Sequence, residues 1–163
     1  MTQYSIKPSE YADEANLLLD VPMNLLNIPA SLVNKSMEEG YRPKDEYHIT
    51  IIGRDLAEQI ITLGLNEDIK KLIDATSWSI EFKPRYIELA KDDDEGIHRQ
   101  SIIQIVFVPQ AAHFYDKLES IMNLPISRPP EHITLFTKNY DKGIGLYSED
   151  DLNSFKVREL EIS

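Results

Sequence analysis

The chain of 163 residues contains no cysteine. This excludes disulfides, thiolate metal sites and a cysteine nucleophile, although it fits any redox compartment. Positive charge is also scarce: 17 Lys and Arg stand against 28 Asp and Glu, for a net charge of −11. A protein that grips long RNA or DNA by its phosphates presents a basic surface and releases counterions. This chain would repel such a polyanion, so no long nucleic acid is expected as a partner; a nucleotide ligand would have to be small and held in a pocket whose few basic groups outvote the surface. Long apolar runs are missing too. No stretch reaches bilayer-spanning length, and the opening "MTQYSIKPSEYADEANLLLDVP" lacks the basic start and apolar centre of a secretory signal. No membrane partner is expected, and a cytoplasmic location is the default.

What is there comes next. At 42% hydrophobic and 28% charged residues, the chain is the size of one ordinary domain, 1–163, and can bury a real core. The acidic runs "KDDDEG" (91–96) and "SEDD" (148–151) read as solvated turns or helix starts rather than a metal site. Histidine occurs only four times, yet two of the four sit in near-identical cassettes, "HITI" at 48–51 and "HITL" at 132–135.

Each cassette closes a similar succession. Before the first come the apolar "NLLLDVPMNLL" and a helical pattern in which Leu32, Val33 and Met37 share a face, with Gly40 as a stop. Before the second come "SIIQIVFVP", a buried strand, and a helix striped by Phe114, Leu118, Ile121 and Met122. The order strand, helix, His-Ile-Thr strand predicts two copies of one unit, about 15–54 and 100–140, facing each other across a pseudo-twofold axis. Between them "DLAE" at 55–58 predicts a capped helix, and Gly64 with Asn66 a break and a second cap. "WSIEF" alternates as a strand, "RYIELA" pairs with "SIIQIVFV" as a hairpin across the acidic turn, and "SFKVRELEIS" adds a last strand. The mixture without strict alternation predicts the α+β class.

In a strand, residues two apart point the same way. His48 and Thr50 therefore share one face against Ile49 and Ile51, and His132 and Thr134 share one against Ile133 and Leu135. Two such strands meeting at a twofold axis put two imidazoles on opposite walls of one cleft. In-line displacement at phosphorus needs that pair: a base for the attacking oxygen and an acid for the leaving one. Imidazole serves either role near neutral pH, and the threonine hydroxyls can donate to the non-bridging oxygens, so neither metal nor cofactor is required. A lone strand histidine is more often structural than catalytic. With six threonines in the chain, however, two of four histidines gain a threonine two places on by accident in about one case in a hundred. His98 and His113 have no such context and read as surface residues.

The two cassettes resemble the 2H phosphoesterase superfamily, whose signature is a doubled His-hydrophobic-Thr/Ser-hydrophobic motif. That resemblance implies a bilobal, internally duplicated fold with antiparallel sheets facing a central cleft and helices outside. It also implies His48 and His132 as the catalytic acid/base pair, and Thr50 and Thr134 as the phosphate-binding hydroxyls. Near-symmetric halves leave the assignment of acid and base open. Superfamily members open 2′,3′-cyclic phosphates at RNA ends, cleave 2′-5′ or 3′-5′ linkages, or process small cyclic nucleotides; the acidity of this chain favours small substrates.

In size, in both cassettes, in Trp78 after the first and in "GIGLYS" (143–148) beyond the second, the chain also looks like the phage anti-CBASS protein 1 group. Those enzymes degrade the cyclic di- and trinucleotide signals of bacterial immunity, which would place the protein in a host cytoplasm. The implied reaction is attack of a ribose 2′-OH on the adjacent 3′-5′ phosphodiester, giving a 2′,3′-cyclic phosphate. Two further residues are candidates for substrate binding. Trp78 offers a ring on which a base could stack, although its alternation with Ile80 and Phe82 equally suits a core. Tyr11 lies in the polar "SEYADEAN". The "GIGL" glycines lack a dinucleotide fingerprint and read as a turn bordering the cleft. Two other functions fit the cassettes: an RNA-end 2′,3′-cyclic phosphodiesterase of the repair type, and a non-catalytic sponge for cyclic nucleotides. Base preference, ring size and oligomeric state are not written in the sequence.

Overall fold

The computed structural model describes residues 2–9, 11 and 16–162. In chain order the elements are β1 (Tyr4–Ser5), β2 (Lys7–Pro8), β3 (Leu17–Asp20), α1 (Ala30–Glu38), β4 (Arg42–Pro43), β5 (His48–Ile52), α2 (Arg54–Thr62) and α3 (Asn66–Asp74). The chain continues with β6 (Ser79–Asp92), β7 (His98–Phe107), α4 (Ala111–Met122), β8 (His132–Lys138), α5 (Glu149–Phe155) and β9 (Lys156–Leu160). The class is α+β. One sheet runs β1-β6-β7-β8-β4, with β9 also on β6; the other runs β2-β3-β5, and every pairing is antiparallel.

Both stretches that end in a His-Ile-Thr strand have the expected order. β3, α1 and β5 come in that order, with the two-residue β4 between α1 and β5, and β3 pairs with β5; β7, α4 and β8 follow one another, with β7 on β8. Residue 15, where the first half was expected to start, lies outside the described residues. The hairpin of "RYIELA" on "SIIQIVFV" forms with Tyr86 opposite Gln104 and Leu89 opposite Ser101. The acidic run turns it, with Gly96 at φ +80°. The tail supplies β9 on β6.

One apolar core serves both sheets. Leu17, Leu19, Ile49 and Ile51 of the small sheet and Ile102, Ile133 and Leu135 of the large one pack with Leu32, Ile60, Ile69, Phe114 and Leu118 of the helices, all 5% exposed or less. Each such side chain contributes about 1.5–3 kcal/mol by leaving water, so the alternation of the cassettes fixes which face turns inward. A smaller cluster of Ile87, Leu89, Ile103, Ile144, Leu146 and Leu152 brings the 144–146 segment and α5 onto β6 and β7.

Three local expectations change. α1 buries Leu32 and Ser36, four residues apart on one face, while Met37 is 52% exposed. α2 starts at Arg54 straight out of β5, with Gly53 as its N-cap and no side-chain cap, so Asp55 sits in the first turn beside the positive helix end. Asn66 is the first residue of α3 rather than its cap. Its side-chain oxygen instead accepts a hydrogen bond from the Tyr11 hydroxyl at 3.3 Å.

Candidate active site

Short covalent links bring the two cassettes together. β4 pairs with β8 through Arg42 and Pro43, and the Lys44 N–H still donates to the Leu135 carbonyl at 3.0 Å. The chain then leaves the large sheet and within a few residues enters the small one as β5. It has no slack to carry His48 far from β8, and β5 and β8 lie in contact although they belong to different sheets. From the other side, the Tyr115 hydroxyl on α4 donates to the Ile51 carbonyl at 2.7 Å and holds β5 against the second half.

Over the four residues of each cassette the burial pattern alternates as the pleat requires. Ile49, Ile51, Ile133 and Leu135 are fully buried, whereas His48, Thr50, His132 and Thr134 are half-buried. All four polar side chains line one cleft of about 570 Å³, a volume within the usual range for small-molecule sites. Lys44, Arg54 and Lys142 also line it, against Glu46 and Asp55. The lining is thus locally richer in cations than the chain as a whole, as the acidity argument requires of any anion site.

The two imidazoles have different surroundings. His132 Nδ1 lies 2.7 Å from the Pro130 carbonyl; a carbonyl only accepts, so Nδ1 carries the proton and in the neutral ring Nε2 is bare. Burial lowers the pKa of His132, the Pro130 carbonyl raises it in part, and positive charge on His48 lowers it further. Both rings line the same cleft, so charge on one bears on the other. The pKa of His48 is also lowered, by burial and then by the Lys44 ammonium, while the carboxylates of Asp20 and Glu46 pull it back up. Asp20 is the residue opposite His48 on β3; the corresponding position opposite His132 on β7 is Ile105.

Residues 141–147 form a strap with no helix or strand, and 142–147 of it line the cleft. Two cations pin it: Lys44 Nζ donates to the Asp141 carbonyl at 2.7 Å and Arg99 Nη2 to the Gly143 carbonyl at 2.7 Å. Buried Ile144 and Leu146 anchor it between those clamps and α5. Gly143 touches the site directly, since a Cβ there would stand 2.6 Å from Thr134 Oγ1. The "GIGL" glycines do border the cleft. Sequence reasoning missed the close approach of Gly143, the charge of Lys44 beside His48, the Pro130 carbonyl and the Tyr147 ring on the cleft wall. The available signals were a Pro-Pro step one residue before the second cassette and a lysine four residues before the first histidine.

The two aromatic candidates are corrected. Trp78 is 3% exposed and packs edge-to-face on Phe114 at 5.1 Å, inside the main core and not on the cleft lining. Its alternation with the fully buried Ile80 turns the indole inward. Tyr11 is half-buried against the core, with its hydroxyl on Asn66, and it too is absent from the lining. His98 and His113 are exposed, as expected; His98 Nδ1 lies 2.6 Å from Asp92. No helix among the described residues is long and apolar enough to cross a membrane. Neither a protein-family model, nor a curated protein, nor a solved structure matches the chain.

Proposed function

We propose that this chain is a metal-independent phosphodiesterase of the bilobal 2H type that cleaves 3′-5′ bonds of small nucleotides. Cyclic di- and trinucleotide signals are the favoured substrates, and the setting this resembles is phage evasion of CBASS immunity. The observation that carries the reading is the convergence of His48, Thr50, His132 and Thr134 on one cleft. The matching order of β3-α1-β5 and β7-α4-β8 supports the internal duplication.

The environments of the two rings divide the labour. His132, with Nδ1–H held by Pro130 and a bare Nε2, takes the proton from the ribose 2′-OH. The 2′ oxygen forms a bond to the adjacent phosphorus as the bond to the 5′ oxygen breaks. His48, where the carboxylates of Asp20 and Glu46 partly offset the lowering by burial and Lys44, delivers a proton to that leaving oxygen. The products are a 2′,3′-cyclic phosphate and a 5′-hydroxyl, and water can open the cyclic phosphate with the roles of the two rings exchanged. Thr50 and Thr134 donate to the non-bridging oxygens as charge builds there.

The test incubates the protein, in excess chelator, with cyclic dinucleotides, cyclic trinucleotides and 2′,3′-cyclic mononucleotides, and resolves the products by chromatography. Linearisation of a cyclic oligonucleotide is expected, with a 2′-deoxy analogue left intact. Turnover of the cyclic mononucleotides alone would assign an RNA-end phosphodiesterase instead. Binding without turnover would leave a sponge.

A further inference from the structure

The second cassette is entered through "PPEH", and the acid in that step has no place on the cleft lining. Glu131 precedes His132 by one residue, so in extended chain its side chain leaves by the opposite face. Its backbone carbonyl accepts the Val106 N–H at 3.1 Å, which carries the β7–β8 ladder one residue past the strand. The next donor on that edge is the Val108 N–H. An antiparallel ladder would offer it the carbonyl of residue 129, but Glu131 Oε1 takes it instead, at 2.9 Å.

The two prolines account for the switch. Neither Pro129 nor Pro130 has an N–H, so the strand cannot run on as a ladder that both gives and accepts. Glu131 is left held at two points, its carbonyl on Val106 and its carboxylate on Val108, while the ring of Pro130 fixes φ just upstream. The peptide between Pro130 and Glu131 therefore has little freedom to turn. Its oxygen is the one that accepts the His132 Nδ1–H at 2.7 Å. An acid is a costly choice for this position: burial pushes the Glu131 carboxyl above the ordinary carboxylate value, and the Val108 N–H and Lys83 pull it only part of the way back. An apolar side chain would avoid that cost and leave the Val108 N–H without its acceptor.

We propose that Glu131 is a positioning residue for His132: its carboxylate, anchored on the Val108 N–H, sets the Pro130 carbonyl and through it the tautomer and aim of the imidazole. The effect on turnover rests on the phosphodiesterase reading, whereas the state of the ring can be read without substrate. What the position requires is an acceptor at the right reach, and not a negative charge.

Three variants separate reach from charge. Glu131→Gln keeps the reach and an acceptor and loses the charge, Glu131→Asp keeps the charge and is one methylene short, and Glu131→Met lacks both charge and acceptor. Nitrogen NMR of the histidine rings reads the tautomer, with the His132 signals assigned by their absence in His132→Ala. In the wild type and Glu131→Gln, neutral His132 should carry its proton on Nδ1. In Glu131→Asp and Glu131→Met a share of the Nε2–H tautomer should appear, and the His132 pKa should fall, because the carbonyl that favours the charged ring is no longer held in place. The charge on His48, which also lowers that pKa, is common to all four proteins and drops out of the comparison. In the same two variants the acid limb of kcat/KM should move down and kcat should fall about 10- to 100-fold, with KM within a few-fold. Should Glu131→Met fail to fold, the contrast between Glu131→Gln and Glu131→Asp decides alone. Loss of the Nδ1–H tautomer in Glu131→Gln, or its full retention in Glu131→Asp, overturns the proposal. The expected ring signals in a protein that turns over no nucleotide overturn the phosphodiesterase reading and leave the link from Glu131 to His132 standing.

Discussion

The two His-Ile-Thr strands differ by a single residue in the cassette, Ile51 against Leu135, and both split their side chains between core and cleft in the same way. Their surroundings differ. His132 leans on a backbone carbonyl two residues upstream, and Gly143 of the strap presses on its threonine. His48 stands among charged groups, with Lys44 on one account and Asp20 and Glu46 on the other. A Cβ on Gly53 would stand at an ordinary 3.7 Å from the Thr50 methyl. Symmetric motifs supply two like imidazoles, and the neighbours that each strand acquires give the two rings different surroundings.

The largest effect that would break this comparison comes from removing either imidazole. His48→Ala and His132→Ala should each lower kcat by about 10²- to 10⁴-fold on a natural substrate. A substrate whose leaving 5′ oxygen is replaced by sulfur needs no acid, because a thiolate departs unaided. On it His48→Ala should regain most of its rate and His132→Ala should not. Rescue of His132→Ala in its place would exchange the two roles while leaving the reaction class standing.

Next in size are the threonines and the glycines beside them. Thr50→Val and Thr134→Val keep shape and lose a donor, and each should cost about 10²- to 10³-fold in kcat. Gly143→Ala should approach the loss of Thr134→Val, since its methyl would stand 2.6 Å from the Thr134 oxygen. Gly53→Ala, at 3.6–3.7 Å from its neighbours, should fold and turn over almost as the wild type does. Equal losses from the two glycine variants would argue that the strap does not press on Thr134.

A smaller effect separates the two rings by titration. Both pKa values are lowered from 6.5, first of all by burial. A plot of kcat/KM against pH should therefore rise as His132 loses its proton and fall as His48 loses its own, with both limbs on the acid side of about 6.5. Lys44→Gln removes a charge that depresses the His48 pKa, so the alkaline limb should move up and the acid limb stay. Movement of the acid limb alone would place Lys44 beside the wrong partner.

The smallest change leaves the site untouched. Trp78→Phe should lower the melting temperature, because a large side chain at 3% exposure leaves a void when trimmed. KM and the pH profile should not change. A raised KM would return Trp78 to the cleft.

Much of the fold could be read in advance from particular residues. The β6–β7 hairpin followed from alternation on either side of an acidic turn, α4 from its Phe114-Leu118-Met122 stripe, and the inward faces of β5 and β8 from Ile49, Ile51, Ile133 and Leu135. The helix starts at 54 and 66 were less legible: the sequence proposes Asp55 and Asn66 as caps, while tertiary contacts impose a Gly53 exit from β5 and engage Asn66 with Tyr11. The aromatic candidates failed for a similar reason. Alternation shows that Trp78 shares a face with Ile80, but only the packing of Phe114 against it makes that face the interior.

By itself the sequence determined which side chains each cassette can offer, because a pleat sends residues two apart to one face and the apolar partners must leave water. It also determined that a chain of net charge −11 needs a local cation supply to hold an anion. Tertiary structure alone decided that the two strands meet, through the short passage from β4 on one sheet to β5 on the other. It decided as well that His132 faces a carbonyl where His48 faces charges, and that Tyr147 lies on the cleft wall. The physical reason is that periodicity is local, written in a few consecutive residues, whereas the field around a ring is made by groups that only folding brings near.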